Sequence, residues 1–254
     1  MCITLQPAKL SKTIIYAGHA QRDGKRVAVL AYQNQANSRG PNAMILPFPS
    51  DVEMGPQNIV DTRVGGHFLA DMDRNARRRS RSIAKSVSFD DGLDERSVQV
   101  FDSGSYTVVL APRATMIPLA LQQVPANKRP TITDELLHGY SVLYPNFQVA
   151  LCCWEGQLKS EPLLWWYEPR GERLFVPTMD AHDGGAPRPE KVQMDHSILW
   201  GHPKGEYSMY FDDSIPRTIR ELLPTSVDVL RPNGYHQNGD FWVENGALKR
   251  VELV

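Results

Sequence analysis

The sequence is short of cysteine, of net charge and of long apolar runs, and each shortage removes a class of protein. Only Cys2, Cys152 and Cys153 occur in 254 residues, and the last two are adjacent, a spacing at which an ordinary disulfide is strained. A disulfide-stapled secreted fold is therefore not expected, and a reducing, cytoplasmic setting is. The start, Met1-Cys2-Ile3-Thr4-Leu5, lacks the charged lead and apolar run of a secretory signal. No stretch reaches the length of a membrane-spanning helix, so no membrane partner is expected. Net charge is −1, so no overall field advertises nucleic acid or anionic lipid, and such a partner would need a local patch. Glycine-rich phosphate loops, dinucleotide fingerprints, Gly-x-Ser-x-Gly elbows and Cys-x-x-Cys pairs are all missing, and no cofactor is expected.

What is present supports one packed domain over residues 1–254. Hydrophobic residues make up 41% and charged residues 22%, near the globular average, so the chain can fold on its own core. The runs Thr13–Ala20 and Arg26–Gln33 read as strands joined through Asp23-Gly24, a favoured type I′ hairpin turn. Ala43–Pro49 reads as a third strand after a turn at Ser38-Arg39-Gly40-Pro41-Asn42, completing a meander. Residues 51–95 form a long excursion with a short helix around His67–Met72. Val98–Phe101 and Tyr106–Ala111 are strands, followed by two helical segments split by Pro125–Pro130. In the second, Leu136, Leu137, Tyr140, Leu143 and Tyr144 share a face, Thr131 and Thr133 can cap the start, and Pro145 ends it. Phe147–Trp154 and Pro162–Tyr167 read as a central hairpin pair, apolar on both faces. Adjacent Trp165 and Trp166 must point to opposite faces. Residues 179–205 form an elaborated polar loop, and the tail turns at Asn245-Gly246. The expected fold is α+β and β-dominated, with mainly antiparallel sheet and two helices packed on one side.

The order of these segments resembles a bacterial family of uncharacterised proteins, a domain of unknown function. Its members begin with a cysteine, then two strands, then a segment like Ala-Trp-Val-Leu-Pro-Val-Pro. The counterparts here are Cys2, Thr13–Tyr16, Val27–Tyr32 and Ala43-Met44-Ile45-Leu46-Pro47-Phe48-Pro49. Gly104–Leu110, the helix ending in Tyr140, Phe147–Ala150 and Leu174–Thr178 follow the same order, so the resemblance spans residues 1–180. Members of that family are usually exported, with the cysteine near the mature N-terminus. Here Cys2 could become terminal only by loss of Met1, and the family's further cysteines have no counterpart. The resemblance implies a fold rather than an activity.

Three groups of residues could carry function. Cys2, freed of Met1, would hold a thiol nucleophile and an α-amine to act as its base, the pairing used by N-terminal-nucleophile amidohydrolases. Asn34, Asn42 and Arg39, at the expected strand ends, are candidates for its oxyanion and substrate contacts; the simpler alternative makes Cys2 an ordinary second residue. Between Asp180 and His202, the residues His182, Asp183, Asp195 and His196 offer nitrogen and oxygen ligands for a divalent metal. Their spacing matches no metal motif, and such side chains also cap turns. Arg74, Arg77, Arg78, Arg79 and Arg81 form a basic run that could meet phosphates or a protein partner. With no interleaved aromatics, and with Asp90, Asp91, Asp94 and Glu95 downstream, the run also reads as a solvated loop. The leading expectation is a binding or interaction protein, its partner unspecified. The alternatives are an amidohydrolase acting on a small amide or acyl substrate through Cys2, and a metal-dependent enzyme using the loop from Asp180 to His202.

Overall fold

The computed structural model describes residues 2–77, 97–194, 196–232 and 234–251. The chain opens with β1 (Cys2–Thr4), β2 (Ala8–Arg22) and β3 (Lys25–Phe48). β2 and β3 turn at Asp23-Gly24, where Arg22 pairs with Lys25 and both turn residues take positive φ, as a type I′ hairpin requires. β3 then runs unbroken for 24 residues. The turn expected at Ser38–Asn42 is instead a bulge: Asn37 pairs with Gln157 and Pro41 with Glu155, so three residues face the single Gly156. A bulge tolerates Pro41 because no ladder N–H is needed there. The expected three-strand meander is thus a two-strand hairpin with one very long arm.

After β4 (Ile59–Val60) and α1 (Phe68–Asn75), the hairpin β5 (Gln99–Ser103) and β6 (Tyr106–Ala111) leads to α2 (Ile117–Ala120) and α3 (Asp134–Leu143). α3 starts on Thr133, whose hydroxyl accepts the Leu136 N–H at 3.2 Å, and it buries Leu136, Leu137 and Tyr140. The next strands, β7 (Gln148–Lys159) and β8 (Leu163–Tyr167), were expected to pair with each other. They instead lie end to end along one edge of β3. Gln148 to Lys159 face Phe48 to Gln35, and Leu163 to Tyr167 face Tyr32 to Ala28. The interruption falls before Pro162, which has no N–H to give the ladder. β1 and β2 line the opposite edge of β3 in the same tandem manner.

The remaining strands are β9 (Leu174–Val176), β10 (Asp180–Ala181), β11 (Lys191–Met194), β12 (Ser197–Gly201) and β13 (Tyr207–Ser208). α4 (Arg217–Arg220) precedes β14 (Ser226–Leu230), β15 (Gly234–Gln237), β16 (Phe241–Glu244) and β17 (Ala247–Arg250). Twelve strands form one sheet, ordered β13-β14-β12-β2-β3-β7-β6-β5 along its main path. Its pairs are antiparallel except β1 with β10 and β12 with β2. β16 and β17 pair through the expected Asn245-Gly246 turn and extend β9.

Both faces of the sheet's centre are covered. Along β3, Ala28, Leu30 and Tyr32 enter one core with residues of α2 and α3, while Val27, Val29 and Ala31 enter a second with residues of α1 and α4. That two-sided burial is why this stretch reads as one continuous apolar run. It also corrects the expected arrangement: four α-helices occur among the described residues, on both faces, rather than two on one side. Trp165 belongs to the first core and Trp166 packs against the second, the opposed pair the sequence implies.

Candidate binding groove beside the amino-terminal strand

Where β3 bulges, its neighbours part. The turn from β1 to β2 is held to β3 by Asn42, whose side-chain oxygen accepts the Gln6 N–H at 3.1 Å and whose amide donates to the Gln6 carbonyl at 2.9 Å. On the far side the Ala8 N–H bonds the His182 carbonyl at 3.0 Å. Gly184, with φ of +81°, lets the chain after β10 pass close by, since a Cβ there would sit 2.8 Å from the Leu5 carbonyl oxygen. These ties leave an open groove of about 960 Å³, lined among others by Lys9, Arg39, Arg129, Thr131, His182 and Asp183.

A second depression of about 440 Å³ continues it and shares Lys9 and Asn37. Its floor follows from strand register. Lys9 pairs with Asn37 and Asn37 with Gln157; Ser11 pairs with Gln35 and Gln35 with Lys159. Directly paired residues share a face, so these six make a polar platform across β2, β3 and β7. The alternate residues Leu10, Ala36 and Leu158 belong to or pack on the core beneath. The alternation Gln33-x-Gln35-x-Asn37-x-Arg39 carries this signal in the sequence, but it is visible only once Gly40-Pro41 is understood as a bulge.

Below the groove wall lies a buried carboxylate. Asp180 Oδ1 sits 2.8 Å from His182 Nε2 and 3.8 Å from His196 Nε2. Burial alone would raise the Asp180 carboxyl, but the hydrogen bond from His182 and the charges of His182 and His196 outweigh it and hold it below the usual range. Asn238 fixes the Asp180 backbone, its side-chain oxygen accepting the Asp180 N–H at 2.8 Å and its amide donating to the Asp180 carbonyl at 2.7 Å. Nearby, Asp240 accepts the Thr178 and Met179 N–H groups at 2.6 and 2.7 Å and the Tyr144 hydroxyl at 2.6 Å. Burial dominates there and pushes the Asp240 carboxyl up despite those three donors. β1 is threaded into this region, its register pairing Cys2 with Asp180 and Ile3 with both Ala181 and Ile45.

The sequence-derived candidates scatter over this frame. Asn34 and Asn42 are buried inside β3 rather than at strand ends, because β3 continues through both. Asn34 donates to the Tyr32 hydroxyl at 3.1 Å, and Asn42 is occupied with Gln6 and its own neighbour, Ala43. Arg39 is exposed and lines the groove. Of the proposed metal ligands, His182 and His196 converge on Asp180, whereas Asp183 turns to accept the Gly185 N–H at 2.9 Å. Asp195 lies outside the described residues, as do Arg78, Arg79 and Arg81. Among the described residues no group of three metal-ligating side chains is placed to hold an ion. Arg74 and Arg77 pair at 2.8 Å with Asp71 and Asp73 of α1. Cys152 and Cys153 are buried in β7, and burial pushes the Cys153 thiol up to about 12, which makes an inert thiol rather than a reactive one. Sequence reasoning missed Asp180 as the meeting point of two histidines, and Lys9 and Arg129 altogether.

No helix among the described residues is long and apolar enough to cross a membrane. No family model matches the sequence, and no curated protein matches it. Among solved structures, the chain is similar, with a TM-score of 0.43 and 14% identity, to a mutated baculovirus P35 after caspase cleavage, over 80% of this chain and 67% of that one.

Proposed function

We propose that this chain is a binding or interaction protein and that the groove at the β3 bulge is its binding surface. The observation that carries the reading is the continuity of the two depressions over a polar platform, at the point where the longest strand breaks its ladder. From Val27 to Tyr32 β3 is covered on both faces, whereas at the bulge a polar strip stays exposed and available to a ligand. A groove-filling variant tests it. Gly40 has nothing within 4 Å of where a Cβ would stand, so Gly40→Phe adds bulk to the groove without a backbone clash. Small-molecule fragments that raise the melting temperature of the natural protein should lose that effect in Gly40→Phe. Fragments that stabilise both proteins equally would sink the reading.

A second reading, an amide or acyl hydrolase with Cys2 as nucleophile, is favoured by one observation: the register of β1 sets Cys2 beside Asp180, which holds His182 at the groove. It calls for loss of Met1 and for selective labelling of Cys2 by a dilute thiol reagent. An intact mass retaining Met1, with no preferential labelling, would remove it.

A further inference from the structure

We infer that the groove takes an acidic peptide in extended conformation, an inference that rests on the groove being the binding surface. Charge is the first argument. Elsewhere on the surface Arg63, Arg170, Arg173, Arg217 and Arg220 each touch a carboxylate, and other exposed cations such as Arg113 and Lys204 touch none among the described residues; the groove differs in gathering four cations of the second kind. Among the described residues Lys9, Arg39, Arg129 and Lys159 have no carboxylate in ion-pair range, although all four line the two depressions. Arg129 spends its donors on neutral acceptors, the Gln122 and Val124 carbonyls and the Gln122 side chain, at 2.9–3.1 Å. Its charge therefore stays fixed at the groove without a counter-ion. Asp183 is the one carboxylate in the described lining of either depression, and it accepts from Gly185. In a chain of net charge −1, this is a local positive field suited to an anionic ligand.

Shape and lining chemistry narrow the ligand. The larger depression, at about 960 Å³, reaches the upper end of single-ligand pockets, and the second continues it, so an isolated small anion would leave most of the space to water. The platform offers side-chain amides from Gln35, Asn37 and Gln157, each able to donate and to accept, as successive peptide groups require. The described lining of both depressions holds no Phe, Tyr or Trp, and its one aromatic ring is the His182 imidazole. A run of stacking platforms for successive unpaired nucleobases is thus missing, which favours a peptide over a single-stranded nucleic acid.

The test is a fluorescence-anisotropy titration of the full chain with a labelled ten-residue peptide of alternating Glu and Ser. The comparison ligands are its Gln/Ser counterpart, inorganic phosphate as competitor, and a labelled single-stranded DNA. The acidic peptide should bind at least about 10-fold tighter than the Gln/Ser peptide and should weaken as salt is raised. Lys9→Glu, Arg39→Glu and Lys159→Glu, all at exposed positions, should each weaken it by about 5-fold with melting temperature unchanged, in the range of exposed charge pairs. Equal binding of the two peptides, charge reversals without effect, full competition by equimolar phosphate, or preference for the DNA would each overturn the inference. If the acidic peptide fails while uncharged fragments still discriminate natural protein from Gly40→Phe, only the inference falls. If neither does, the binding reading falls with it.

Discussion

Asp180 Oδ1 lies 2.8 Å from His182 Nε2, with His196 Nε2 at 3.8 Å on the same oxygen. One buried carboxylate thus joins a histidine of the groove wall to one of the interior, beside the strand that carries Cys2.

Removing that charge should loosen the amino-terminal strand. Asp180→Asn leaves two imidazoles without their anion and is expected to cost about 3 kcal/mol near neutral pH, the scale of a broken buried pair. The Asp180 carboxyl is held below its ordinary value, so its stabilisation is present above that value and disappears as pH falls through the folded one. Urea melts of the natural and variant proteins should therefore converge on acidification. A gap that widened instead would contradict this assignment.

Asp240 should behave in the opposite sense. Its carboxyl is raised by burial, so it favours the folded state most when protonated, and that contribution is lost as pH rises through the folded value. Asp240→Asn keeps an oxygen for the Thr178 and Met179 N–H groups and removes the charge. Relative to the natural protein, its melting temperature should improve between pH about 4 and about 8. Tyr144→Phe, which deletes a 2.6 Å hydrogen bond to Asp240, should cost about 1–3 kcal/mol.

Gly184 tests whether the groove wall depends on close backbone approach. With φ of +81° and a Cβ position 2.8 Å from the Leu5 carbonyl oxygen, Gly184→Ala should cost more than about 1 kcal/mol. It should also raise hydrogen exchange at Ala8, whose N–H is bonded to the His182 carbonyl in the same crossing. Unchanged exchange there would show that the crossing does not need glycine.

Two arginines from outside α1 hold one carboxylate of that helix, but unequally. Asp73, nearly buried, is held by Arg77 and by Arg231, the latter far more enclosed. Arg231→Ala should destabilise the protein more than Arg77→Ala, whose exposed pair is worth under about 1 kcal/mol. Chemical denaturation of the two variants decides the order.

Local chemistry was legible where a few neighbouring residues decide the outcome. Asp23-Gly24 and Asn245-Gly246 turn as their positive φ preference requires, and Thr133 caps α3. Pairings decided by distant residues were not legible. Phe147–Trp154 and Pro162–Tyr167 look like partners because both are apolar, yet each finds β3, since hydrophobic pattern fixes which face is buried but not which strand lies alongside. Gly40-Pro41 carries a turn signal, and only the facing Gly156 makes it a bulge. The groove followed the same fate: its alternating polar residues were in view, but His182, Arg129 and Lys9 come from separate segments that the fold alone brings together.

The most direct test of the groove as binding surface is residue-resolved amide chemical-shift mapping of the full chain during titration with fragments and with the acidic peptide. Perturbations confined to Gln6–Lys9, Gln35–Gly40, Thr131, Gln157–Lys159 and His182–Asp183 are the predicted result. Shifts that gather on another surface while these amides stay still would contradict it.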